Sequence, residues 1–398
     1  MPERISRRSL LKNLSSAAAA GMAASPLRGL WFSQADQATG MERGQMGRLA
    51  AAFKSNFRVP ALSVAISRNG QFVFDQGFGF DQGFHMGNAK DLGPANMSSL
   101  FRIASVTKPI TSVTIFTLVE QGKLNLTDKV FGPSGILGTK YGKSPYKQYV
   151  TDITIDHLLT HTSGGWPDDA TDPMFRFNSW DQARLIGWTL ENLPLTYPPG
   201  QHWAYSNFGY CLLGRVIEQV TGQPYADYVQ SRILAPCGIS NMRIAGNTLK
   251  QRAPNEVVYF GQYNEDPYKM NVARMDSDGG WLATPSALVQ FLDHVAGSGN
   301  IASFLKPETI GVMTTPSPAY PESSAAKYAR GWMVSNNGRG NWWHNGSLPG
   351  STTIMVRTAT GLCWAALANT RTEPHDQIDN ALDGTMWAMV RSVPAWGA

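Results

Sequence analysis

Hydrophobic and polar positions change period along the chain, and the changes mark its parts. Residues 61–67 and 71–79 are β-rich runs joined by Arg68-Asn69-Gly70, a turn sequence, which predicts a hairpin. Glycine, Asn and Asp then thicken over residues 79–96, as in a loop. Residues 110–121 are an apolar helical stretch that stops at Gly122. In the middle, residues 155–160, 208–221, 225–234 and 285–295 read as helices, the last with Thr284 as cap and Pro285 in its first position. Strand character returns at 331–335, 352–357 and 362–369, and 377–391 reads as a closing helix. Strands, helices, strands and a helix follow in that order, with hairpins where parallel units would need long crossovers. This predicts an α+β fold: an antiparallel sheet flanked by helices and completed from both ends of the chain, with a mainly α-helical domain inserted. No internal repeat of roughly 20–50 residues is present.

The first 35 residues stand apart from this pattern. Ser6-Arg7-Arg8-Ser9-Leu10-Leu11-Lys12 sets the pair Arg7 and Arg8 before two leucines and a lysine, and a weakly apolar, alanine-rich run covers 17–24. That resembles a twin-arginine export signal over residues 1–35, cleaved somewhere between 25 and 35, and implies a periplasmic or secreted protein. The segment also changes the charge picture. The chain's formal charge is +5, but residues 1–35 hold Arg4, Arg7, Arg8, Lys12 and Arg28 against Glu3, so the remainder carries only about +1. A nucleic-acid partner, which needs a basic face, is not expected. No stretch has the ~18–20 apolar residues of a transmembrane span. The 3 cysteines, Cys211, Cys237 and Cys363, are too few and scattered for a disulfide scaffold or a Cys-rich zinc site and are expected to pack as small buried hydrophobes.

Three short patterns carry candidate chemistry. Ser105-Val106-Thr107-Lys108 stands where a loop meets the apolar helix. With a helix start near Ala104, Ser105 and Lys108 lie one turn apart on one face, so the amine reaches the hydroxyl. A serine is a weak nucleophile until a neighbouring base takes its proton, and a helix N-terminus adds N–H groups and positive potential. Tyr205-Ser206-Asn207 follows the turn Pro198-Pro199-Gly200; a tyrosine there relays a proton to and from the serine, and the Asn207 amide holds a substrate carbonyl. His344-Asn345-Gly346-Ser347 precedes the strand at 352. There Gly346 lets a substrate lie close to backbone, the Ser347 N–H supplies half of an oxyanion hole with that of Ser105, and His344 donates to a substrate carboxylate or to Tyr205.

In this order and spacing the three patterns resemble the penicillin-recognising serine hydrolases: D-alanyl-D-alanine carboxypeptidases, class C β-lactamases, family VIII esterases and D-aminopeptidases. Phe101-Arg102-Ile103-Ala104, the run Ile-Asp-His-Leu-Leu-Thr-His-Thr-Ser-Gly at 155–164, and Gly279-Gly280-Trp281-Leu282-Ala283-Thr284-Pro285 strengthen the likeness. It runs over residues 46–391, with a sheet part at 46–124 and 297–391 and a helical part at 125–296. The resemblance implies that Ser105 is acylated and that Lys108 and Tyr205 share acid and base duty. It further implies that Asn207 orients the substrate and that Ser105 and Ser347 form the oxyanion hole. One departure matters: the lactamases carry Lys-Thr-Gly where this chain has His344-Asn345-Gly346, so the fixed cation that binds a carboxylate is missing.

The expected function is therefore an exported serine hydrolase acting through an acyl-enzyme on an ester or amide of a small molecule or short peptide. No metal, cofactor or nucleic acid is expected. The alternatives are a D,D-carboxypeptidase or weak β-lactamase, and a penicillin-binding or sensing protein without turnover. Other motifs fail: there is no Gly-x-Ser-x-Gly elbow, and Gly142-Lys143-Ser144 has Leu137 where a phosphate loop needs glycine. His157 and His161 lack the glutamate of a zinc helix, which leaves them as packing residues. Trp166, Trp180, Trp203 and Trp281 suggest either an aromatic-walled pocket or core packing.

Overall fold

The computed structural model describes residues 37–79, 95–262 and 265–397. The export segment with Arg7 and Arg8, and most of the 79–96 loop, lie outside them. Along the chain, α1 (Gly40–Asn56) precedes the hairpin strands β1 (Leu62–Arg68) and β2 (Gln71–Phe78). The short strand β3 (Phe101–Arg102) leads through a 3-10 turn (Ala104–Val106) into α2 (Thr107–Glu120). The helical part contains α3 (Ile155–Leu159), α4 (Gln182–Asn192), α5 (Asn207–Thr221) and α6 (Tyr225–Val229), the last continued by a wider π turn (Gln230–Leu234). Then come β4 (Arg243–Ile244), β5 (Trp281–Ala283), α7 (Pro285–Ala296) and α8 (Pro307–Met313). The chain closes with β6 (Ala326–Tyr328), β7 (Met333–Ser335), β8 (Trp342–Leu348), β9 (Ser351–Arg357), β10 (Leu362–Ala368) and α9 (Asp376–Arg391).

Seven strands form one antiparallel sheet in the order β2-β1-β10-β9-β8-β7-β6, so the first and last strands of the sequence pair in its interior. The hairpin turn has Asn69 and Gly70 both at positive φ, the geometry whose twist matches the flanking strands. Both sheet faces are covered. Trp364 and Ala366 of β10 face a core under α1 and α9, whereas Ala365 and Leu367 join the core shared with α7 and the helical part. This is why β10 reads as an unbroken apolar run and not as an alternation. In α9 the stripe Ile378, Leu382, Met386 and Met389 is fully buried, each side chain contributing about 1.5–3 kcal/mol.

The sequence reading is corrected in three places. The helix expected at 285–295 within the helical part packs instead on β1, β9 and β10, because Leu288, Phe291 and Leu292 bury against the sheet. The His344 pattern precedes the strand at 352 as read, but lies within a further strand, β8, that the sequence reading did not include. α1 was not anticipated, since Gly40, Gly44 and Gly47 dilute its apolar pattern; its signal was the capping box in which Thr39 and Glu42 bond each other's backbone N–H. The three cysteines are unpaired and buried. A smaller sheet, β3-β5-β4, holds residue 102 beside 282 and so brings the Ser105 turn next to Asp278 and Gly279.

Candidate active site

Ser105 sits in the 3-10 turn ahead of α2, and Lys108 in the first turn of the helix itself. Ala104 takes φ +49°, a left-handed conformation that costs a non-glycine residue about 1–2 kcal/mol and that persists only where its surroundings impose it. The imposing neighbour is β8. A Cβ on Gly346 would run into Thr353 Oγ1 and the Ile103 carbonyl and would come 3.1 Å from Ala104 Cβ. Thr353 Oγ1 bonds the Ile103 carbonyl at 2.9 Å and the Gly346 carbonyl at 3.2 Å, tying both strands to the turn. The expectation for Gly346 is thus corrected: its missing side chain makes room for the serine turn, not for substrate.

Lys108 is completely buried, and its ammonium reaches three acceptors: Ser105 Oγ at 3.0 Å, Asn207 Oδ1 at 2.7 Å and the Asp278 carbonyl at 2.8 Å. Burial lowers its pKa to about 8, against the opposing charges of Asp278, Asp168 and Asp172. Asn207 opens α5 and donates its Nδ2 to Asp172 Oδ2 at 2.8 Å. Burial raises the Asp172 carboxyl to about 7, resisted by its bonds from Asn207 and the Met174 N–H. Burial likewise pushes Asp278 well up, resisted by Lys108.

Tyr205 turns part of its ring to the cavity, but its hydroxyl is buried and finds no hydrogen-bond partner among the described residues. Burial raises its pKa well above the usual value, opposed by the nearby Ser105 hydroxyl. The phenol therefore keeps its proton at neutral pH. Lys108 Nζ lies 4.8 Å from the ring centroid, a cation–π contact. His161, dismissed as packing in the sequence, holds this segment: its carbonyl accepts from the Ala204 N–H at 2.9 Å and its Nδ1 from the Ser206 N–H at 3.1 Å. Its ring lies 4.2 Å from that of Tyr205, and burial, with Lys108 and His344 nearby, keeps it neutral. His157, by contrast, only caps α3.

His344 is buried and its role is corrected. Nδ1 lies 2.6 Å from the Asn345 carbonyl, which only accepts, so the ring proton is on Nδ1. Nε2 then accepts from the Tyr328 hydroxyl at 3.1 Å. Burial first, and then Lys108, lowers its pKa to about 3. The imidazole is neutral and has no N–H left for a substrate carboxylate or for Tyr205, whose ring centroid is 6.3 Å away.

Ser105, Tyr205, Asn207, His344 and Ser347 line one cavity of about 950 Å³; Lys108 and Gly346 lie behind its wall. Strand β7 pairs with β8 only as far as Trp343, so beyond it β8 borders the cavity through Asn345, Ser347 and Leu348. Of the four tryptophans singled out, Trp203 lines the cavity, Trp166 and Trp281 are core, and Trp180 stacks on Phe177 elsewhere. The sequence missed Trp343 and Arg371, also in the lining; Arg371 is paired with Glu265 and lies 3.4 Å from Ser347 Oγ. No cluster of possible metal ligands and no membrane-spanning helix occurs among the described residues.

Comparison with known proteins gives this geometry a context. A penicillin-binding protein of Bacillus subtilis (strain 168) is 26% identical over 324 residues, covering 74% of this chain and 64% of the relative, so the chain spans less than two thirds of that protein's length. The structure of D-amino acid amidase from Ochrobactrum anthropi SV3 superposes with a TM-score of 0.68 at 23% identity, covering 87% of this chain and 99% of the other. An octameric penicillin-binding protein homologue from Pyrococcus abyssi gives 0.64 at 25% identity, over 82% of this chain and 73% of that one. The family model for Beta-lactamase matches residues 46–384, from within α1 through most of α9 and across the three patterns at Ser105, Tyr205 and His344, and the chain accordingly belongs to the β-lactamase and penicillin-binding-protein-like family.

Proposed function

We propose that the protein is an exported serine hydrolase that forms an acyl-enzyme on Ser105 and releases it to water, with an ester or amide of a small molecule or short peptide as substrate. The observation that carries this reading is the 3.0 Å contact between Lys108 Nζ and Ser105 Oγ, made by an amine whose pKa is about 8. At pH 7.5 roughly a quarter of such amines are neutral. Neutral Lys108 takes the Ser105 proton as Oγ bonds to the substrate carbonyl carbon, and the carbonyl electron pair moves to oxygen, facing the backbone N–H groups of Ser105 and Ser347. The oxyanion collapses, the C–O or C–N bond breaks, and the leaving group takes a proton from the Tyr205 phenol, which is restored from the Lys108 ammonium. Water then adds to the acyl carbon, giving up its proton along the same path, and Ser105 leaves with its hydroxyl restored. Asn207 orients the substrate with the amide hydrogen that Asp172 does not use.

A neutral His344 favours substrates without a carboxylate, hence simple esters over β-lactams. A D,D-carboxypeptidase or weak β-lactamase is the second reading, favoured by Arg371, a guanidinium in the cavity wall beside Ser347. Export through residues 1–35 is part of the proposal and rests on the Arg7–Arg8 pair. The test joins mass spectrometry after a fluorophosphonate with a panel of p-nitrophenyl esters, D-amino-acid amides, D-Ala-D-Ala peptides and a chromogenic cephalosporin. An adduct on the peptide carrying Ser105, with ester turnover, is expected. No adduct at Ser105 overturns the reading, and an adduct without turnover on any member assigns a penicillin-binding or sensing role instead.

A further inference from the structure

The mechanism above uses Lys108 and Asn207 but leaves Asp172 without a part. Asp172 is 1% exposed, and both its carboxylate oxygens are engaged: Oδ1 accepts from the Met174 N–H at 2.8 Å and Oδ2 from Asn207 Nδ2 at 2.8 Å. The first bond caps the 3-10 turn at Pro173–Phe175, which a surface Asp or Ser would do equally well. The second belongs to a different chain of contacts. An asparagine amide has a donor on one side and an acceptor on the other, so a carboxylate that holds its NH₂ commits its oxygen to the opposite side. That oxygen is 2.7 Å from Lys108 Nζ, which in turn is 3.0 Å from Ser105 Oγ.

We propose that Asp172 is a positioning residue, its carboxylate locking the Asn207 amide with oxygen toward Lys108 and so fixing where the lysine nitrogen stands relative to Ser105. The inference rests on the reading of Ser105 and Lys108 as nucleophile and base. Only a side chain with two acceptors on one short stem serves both the Met174 N–H and the Asn207 NH₂. An isosteric amide at 172 offers one acceptor and one donor, which sets donor against donor at one of the two. The Met174 side cannot give way, because Arg274 holds the Met174 carbonyl at 2.9 Å and the Arg176 carbonyl at 2.7 Å. The Asn207 amide is free to turn over, and doing so faces its NH₂ to the lysine ammonium.

The titratable groups around Lys108 and this pair are Asp168 in the loop before the turn, Asp278 ahead of β5 and Arg274, with the neutral His161 and His344 and the Tyr205 and Tyr210 rings, 4.8 and 5.6 Å from Lys108 Nζ, on the other sides. Asp172→Asn removes one of the three carboxylates that hold the Lys108 pKa up, and a turned amide lowers it further. Above its own pKa of about 7 the native Asp172 is ionised, so in the window around Lys108 the sign is fixed: the rise of kcat/KM with pH, centred near 8 in the native protein, moves to lower pH.

The experiment uses the full chain and compares native, Asp172→Asn, Asp172→Ala and the double variant Asp172→Asn/Asn207→Asp. Each is measured for kcat and KM on a p-nitrophenyl ester from pH 5.5 to 10, for its fluorophosphonate-reactive fraction and for Tm. Asp172→Asn should lose about 10–100-fold in kcat per reactive molecule, with KM changed less than about threefold, and its limb should fall by about half a unit or more. In the double variant the new amide at 172 accepts from Met174 and donates to the new carboxylate at 207, which again presents an acceptor to Lys108. Its limb should return to or above the native position, although the lost substrate contact of Asn207 keeps kcat low. An unmoved limb in Asp172→Asn, whatever its Tm, overturns the proposal, as does a double variant whose limb stays with the single. If Asp172→Ala fails to fold, the isosteric pair still decides. A native profile with no ionisation near pH 8 overturns the base assignment as well, which separates the two failures.

Discussion

The helical wall of the cavity and its sheet wall are built on opposite plans. On the helical side Lys108, Asn207 and Asp172 form a buried chain of hydrogen bonds carrying both signs of charge, with every contact between 2.7 and 3.0 Å. On the sheet side β8 contributes a neutral imidazole with both nitrogens engaged, a glycine packed against the serine turn, and Ser347. The charged partners of this chain of contacts lie on one wall, and the other offers a neutral ring, close packing and backbone. In low-dielectric surroundings this separation has a physical consequence, because a second buried cation on the sheet wall would lower the Lys108 pKa further.

The largest test of the contrast is Ser105→Ala. Losing the nucleophile in comparable hydrolases costs about 10⁶ in kcat, so hydrolysis should vanish while thermal unfolding is unchanged. More than about a tenth of native activity remaining would move the chemistry off the helical wall. Next in size, Tyr205→Phe keeps the ring packed against His161 but removes the proposed proton relay. Steady-state rates should drop by about 10²–10⁴ with little change in Tm; early melting with normal turnover per folded molecule would make Tyr205 a core residue.

Gly346→Ala probes whether the sheet wall acts through shape. The added methyl meets the Ile103 carbonyl and Thr353 and displaces the serine turn. Activity should fall about 10–100-fold, with ~1–3 kcal/mol less stability in denaturant titrations. Values within twofold of native for both would mean that β8 yields freely. The smallest effect is expected for His344→Lys, which puts charge on the uncharged wall. The ratio of kcat/KM for a cephalosporin to that for an ester should rise about tenfold, some 1.4 kcal/mol of discrimination. A native enzyme already preferring the cephalosporin a hundredfold would erase the contrast and favour the lactamase reading.

The legible part of the site consists of residues close in sequence. Ser105 and Lys108 are one turn apart, Tyr205 and Asn207 straddle a helix cap, and His344 to Ser347 share a strand; the fold then brings these three segments to one cavity. What escaped the sequence acts across distance. Asp172 meets Asn207 35 positions away, and His161 meets Ser206 45 positions away. Tyr328 takes up His344, 16 positions on, from another strand. No local period marks such residues, since their environment exists only after packing. The same limit applies to β3, β4 and β5, whose two or three residues each are too few to show alternation. It also applies to α7, whose apolar stripe reveals a buried face without saying which layer covers it.

The pairing of β1 with β10 also governs how the molecule must be assembled in time. Leu62 finds its partner Ala368 only after roughly three hundred further residues have been synthesised, so the middle of the sheet is the last part to close. A nascent chain that has emerged only as far as β9 holds a completed hairpin on one side and a completed meander on the other, each with a raw hydrogen-bonding edge where β10 belongs. During that interval a β10 segment from a neighbouring nascent chain fits the same slot as the chain's own, which makes exchange between copies the characteristic assembly error of this topology.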